Sequence, residues 1–122
     1  MRCFVRVATG AILMLPFSNV ALGQGIQGAG ASSCGAMLTS LELDLGSIPQ
    51  GITGVLYESW LQGYLTGRNE TDGFAVDISD VEGQWRWLNN YCTENPLEVV
   101  WNAAKALYQE LKALQELQGI EP

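Results

Sequence analysis

Residues 95–119 read NPLEVVWNAAKALYQELKALQELQG, and this stretch sets the fold class. Asn95 is a helix-capping residue, Pro96 suits a first turn where a missing N–H costs nothing, Glu98 stands three places beyond the cap, and Gly119 supplies a stop. Between these signals Leu97, Val100, Ala104, Leu107, Leu111 and Leu114 recur at steps of three and four. That spacing puts them on one stripe, as in a helix laid along other helices. The same stripe is able to extend into a homodimer seam, but it is short for a coiled coil, and packing within one core is its simpler use.

Two further helices precede it. Asp80 is placed to cap one running to about Cys92, with Val81, Trp85, Leu88 and Cys92 on a stripe and Trp87 and Tyr91 beside it. Ile52, Val55, Leu56, Trp60, Leu61, Tyr64 and Leu65 mark another from Ile52 to Leu65, with Gly67 and Asn69 just past its end. The polar run from Arg68 to Asp80 is then a loop, which contains the sequon Asn69-Glu70-Thr71. Cys34 to Gln50 matches a helical or an alternating template, and is taken as a short helix followed by a loop. With no clear alternating strand, the expectation is an all-α protein: a small bundle of three main helices plus a short N-terminal helix.

The N-terminus has the form of an export signal. Arg2 and Arg6 precede the apolar run from Val7 to Leu22, and Ala21-Leu22-Gly23 offers small residues for cleavage before Gln24. Gly10, Pro16, Ser18 and Asn19 interrupt the run, which is short for a membrane span. The expected organisation is a signal peptide at 1–23, a flexible Gly/Ser-rich leader at 24–33, one helical domain at 34–118 and a tail at 119–122, in the Gram-negative periplasm or secreted, and not membrane-spanning after cleavage.

Removing the signal leaves two cysteines, Cys34 and Cys92, in an oxidising compartment, which points to a disulfide rather than two free thiols. It also takes Lys+Arg from 6 to 4 against 13 Asp+Glu, a net charge of −9. So acidic a chain, with its cations scattered, is not built for a phosphate backbone, so no nucleic-acid partner is expected.

The absence of histidine removes the commonest general base and metal ligand. No catalytic residue, cofactor or metal site is assigned. Asp72, Asp77 and Asp80 lie close in sequence but lack the ligand alternation of a calcium loop. Four tryptophans are many for so short a chain, and Trp85 and Trp87 cannot face the same way on one helix. Trp60, Tyr64, Trp87 and Tyr91, spaced as two i, i+4 pairs, are therefore the candidate binding residues, for a protein partner.

The early Cys34, the string from Trp60 to Asn69 and the string Trp87-Leu88-Asn89-Asn90-Tyr91-Cys92-Thr93-Glu94-Asn95-Pro96 together resemble the HdeA/HdeB group of periplasmic acid-stress chaperones. The resemblance covers about residues 34–112. It implies a helical protein with one disulfide that exposes apolar surface in acid and holds unfolding clients. Without histidine, such a switch would rest on Asp and Glu and act near pH ~4. The outline is also similar to that of the Tai-type immunity proteins of type VI secretion, which implies a folded protein that neutralises one secreted toxin. Members of that family commonly carry a further cysteine near the C-terminus, which this chain lacks.

Overall fold

The computed structural model describes residues 26–44 and 51–119. The expected signal peptide, residues 45–50 at the end of the segment expected as helix and loop, and the last three residues of the tail lie outside the described residues. A 3₁₀ turn at Gly28–Ala31 leads into α1 (Cys34–Asp44), α2 (Ile52–Asp72), α3 (Val81–Glu94) and α4 (Val100–Leu117). Helix α1 packs on α2 and α3, α4 packs on α2 and α3, and the 3₁₀ turn rests on α2 and α4. The protein is thus the small all-α bundle that the periodicity implies.

The helices meet along a core of Met37, Leu61, Leu65, Leu88, Val100, Leu107 and Tyr108, all buried. Ala103 and Ala104 are fully buried on α4, where small side chains permit its neighbours to approach closely. Cys34 in the first turn of α1 is bonded to Cys92 in the last turn of α3, with Cα atoms 4.8 Å apart.

Four local expectations are corrected. Helix α2 does not stop near Gly67 but continues through Asn69 to Asp72. The Arg68–Asp72 pair at 2.7 Å braces the extra turn, and Gly73, at φ 64°, provides the left-handed end. The buried face of α2 is Tyr57, Leu61 and Leu65, whereas Ile52, Val55 and Leu56 are 51%, 59% and 61% exposed. Two apolar stripes on one helix had merged into a single apparent face.

Helix α4 begins at Val100, not at the Asn95-Pro96 signal. The backbone of 95–99 is committed elsewhere, because Cys34 N–H donates to Glu98 O at 2.7 Å and Gly35 N–H to Pro96 O at 2.8 Å. These carbonyls satisfy the otherwise unpaired first N–H groups of α1, and Leu97, expected in the seam, is 95% exposed. The segment expected as a flexible leader is also part of the fold in its second half. Gly30 is buried against the Trp60 indole, Tyr57 O–H donates to Ser32 Oγ at 3.0 Å, and Ser33 bridges Val99.

Candidate functional site

The four aromatic residues singled out by spacing form two stacks, each within one helix. Trp60 and Tyr64 lie with ring centroids 5.7 Å apart on α2, and Trp87 and Tyr91 with centroids 5.2 Å apart on α3. Their surroundings differ. Trp60 is covered by the glycines of the 3₁₀ turn and so helps to join α2 to the N-terminal segment, while Tyr64 Oη accepts from Arg68 Nη1 at 3.5 Å within α2. Tyr91 contributes its carbonyl to Asn95 at the end of α3. Trp87 alone of the four lines an open groove of about 540 Å³ between α3, α4 and the connection from Gly73 to Asp80.

The groove is built from Leu107, Leu111 and Leu114 on α4, Trp87 on α3 and Val76 on the connection. Its volume lies within the usual range for ligand sites, ~300–1,000 Å³. Every charged residue lining it is acidic: Asp77, Asp80 and Glu110. Gln84, 3% exposed, also lines it. Its Oε1 accepts from Gln62 Nε2 at 2.9 Å, while its own Nε2 is buried without a hydrogen-bond partner, an arrangement that costs stability.

Neutral groups from two helices clamp the connection that walls this groove. Asn69 on α2 donates from Nδ2 to Val76 O at 2.9 Å and accepts from Val76 N–H at 3.0 Å. Gln115 on α4 accepts from Asp77 N–H at 2.9 Å and donates to Ala75 O at 3.1 Å. Buried Tyr108 donates to Phe74 O at 3.1 Å. Each clamp answers the rule that backbone polar groups near the core be paired. Both polar atoms of the Asn69 sequon amide are engaged in this way.

Carboxylates make short-range contacts along and beside the same connection. The Arg68 guanidinium, bonded to Asp72, holds its carboxyl below the ordinary value for aspartate. The Ser79 hydroxyl and backbone N–H do the same for Asp77. Asp80 caps α3, accepting from Gly83 N–H at 2.9 Å. Among the described residues no group of three or more acidic or cysteine side chains stands close enough to hold a metal ion, and the three aspartates face separate donors.

Gln84, Asn69 and Gln115 were missed in the sequence because polar residues inside or beside an apolar stripe read as solvated positions. The seam residues Leu111 and Leu114 were legible as apolar, but not as groove walls. Ile52, Val55 and Leu56, read as part of the α2 stripe, are exposed, as is Leu43 on α1. No described helix is long and apolar enough to cross a membrane. No family model, curated protein or solved structure matches this chain.

Proposed function

We propose that this chain is an exported protein that holds other polypeptides on its surface, in the manner of the acid-stress chaperones its cysteine placement and helix ends resemble. The observation that carries this reading is the apolar groove at Trp87, Leu107, Leu111 and Leu114, one wall of which is braced locally by carboxylate hydrogen bonds. Protonation weakens the carboxylate contacts, while the disulfide and the amide clamps do not titrate in acid. Acid therefore loosens one wall and widens the groove, and the bundle stays assembled. Apolar side chains of unfolding clients then have a surface to occupy.

The sign follows from the folded-state shifts. Asp72 and Asp77 both lie below their ordinary values, so the stability they add is present above pH ~4 and is lost as the pH falls through the lowered values. The test is circular dichroism, binding of an apolar dye and client aggregation on the oxidised protein between pH 7 and 2. The expected result is unchanged helical signal with increased dye binding and client protection below about pH 4. Client aggregation that proceeds at pH 3 as if the protein were absent would sink the chaperone reading.

The immunity-type alternative draws on a different observation: Asn69, Tyr108 and Gln115 hold the groove wall with groups that do not titrate in acid, so on this reading the groove keeps its shape from neutral to acid pH. An acid-rimmed groove on a rigid fold suits one basic protein. No dye response or client protection in acid, with tight one-to-one binding of a basic toxin at pH 7, would select that reading.

A further inference from the structure

We propose that the groove, at neutral pH, is selective for a short apolar peptide segment flanked by lysine or arginine, with a backbone carbonyl of that segment accepting from Gln84. The inference rests on the reading of the groove as a polypeptide-binding site and names the partner chemistry. Three observations set it. The walls are apolar and include an indole, the side chain best able to pack against an aliphatic or aromatic anchor. The charges on the lining are Asp77, Asp80 and Glu110, with no lysine or arginine among the lining residues to offset them. Asp77 and Asp80 each accept from a backbone N–H group and line the groove, and Glu110 is exposed on α4.

The third observation is Gln84. A buried amide N–H with no acceptor is costly for the free protein, and an acceptor supplied by a ligand removes that cost. A peptide presents such a carbonyl at every residue, and its N–H groups suit the carboxylates of the rim, whereas any acidic side chains would meet like charge. A segment bearing glutamate or aspartate beside its apolar anchor is therefore excluded by the rim, which is selectivity by repulsion as much as by attraction.

The test uses the oxidised full chain at pH 7 and low salt, with fluorescence anisotropy of two labelled probes, Lys-Leu-Leu-Phe-Leu-Lys and its twin Glu-Leu-Leu-Phe-Leu-Glu. The lysine-flanked probe is expected to bind about tenfold more tightly than the twin, the scale of two or three exposed charge pairs. Raising the salt concentration should narrow the gap. Glu110→Lys, at an exposed position, should narrow it while leaving the circular dichroism unchanged, and Gln84→Leu should weaken both probes. Leu114→Ser guards against a Gln84 variant that misfolds, because it removes groove apolar surface without touching the buried amide, and it too should weaken both probes.

Equal affinity for the two probes, no binding of either, a preference that Glu110→Lys leaves intact, or affinities that Leu114→Ser leaves unchanged would overturn the proposal. The two readings fail separately. Client protection in acid without a lysine preference at pH 7 overturns the selectivity and leaves the chaperone role standing. A lysine preference without client protection does the reverse.

Discussion

Gly30 shows how a single missing side chain places the N-terminal segment. A Cβ at this position would fall inside the Trp60 indole, so the turn can lie flat on α2 only because nothing projects from it. Gly35 meets a milder version of the same limit, since a Cβ there would stand 3.1 Å from Pro96 O, beside the N–H groups that join α1 to the 95–99 segment. Gly30→Ala should therefore lower stability by about 1–3 kcal/mol, the usual range for overpacking. Thermal unfolding followed at the helical band checks this. The Trp60 emission should shift to the red if the turn lifts, and an unshifted Tm would mean that the indole swings aside at little cost. Gly30 had no legible role in the sequence, because a Gly/Ser-rich run reads as linker and the partner that orders it is thirty residues away.

At the scale of the element, legibility depended on whether the deciding contact was local. The start of α3 was readable because Asp80 bonds a group three residues away in the same chain segment. The start of α4 was misread because Asn95, Pro96 and Glu98 carry a local capping signature, while a non-local demand, the unpaired N–H groups of α1, takes the carbonyls of that segment. The end of α2 was misread for the same reason: Asn69, a residue suited to stopping a helix, instead reaches forward to Val76 from within the helix. The groove followed suit, its leucines evident in the periodic pattern and its amide clamps not. Asn69→Ala removes two hydrogen bonds to Val76 and leaves that backbone pair unsatisfied beside the core, at a cost of about 1–3 kcal/mol. Urea denaturation measures the loss. Hydrogen exchange at the Val76 amide should rise more than exchange in α3 or α4, and uniform acceleration everywhere would show that the clamp acts on the whole bundle rather than on the connection.

Across the whole molecule, the charge works against compactness and the staple works for it. The chain carries a formal charge of −7, and among the described residues the ion pairs Arg68–Asp72 and Arg86–Glu82 each join neighbours on one helix. Surface pairs of that kind add little, so stability rests on the buried core and on the Cys34–Cys92 bond. That bond encloses a separation of 58 residues, for which loss of chain entropy in the unfolded state is worth about 4 kcal/mol. Against a total of roughly 5–15 kcal/mol for a small domain, its removal is a large fraction of the whole. The double variant Cys34→Ala with Cys92→Ala should lower the unfolding free energy by about that amount in urea. Its m-value should rise, because an uncrosslinked chain exposes more surface when it unfolds. A fall in the midpoint at constant m would instead assign the loss to the two cavities left in the core, where both sulfur atoms are now fully buried between α1 and α3. The bond would then act as packing in the native state rather than as a limit on the unfolded one.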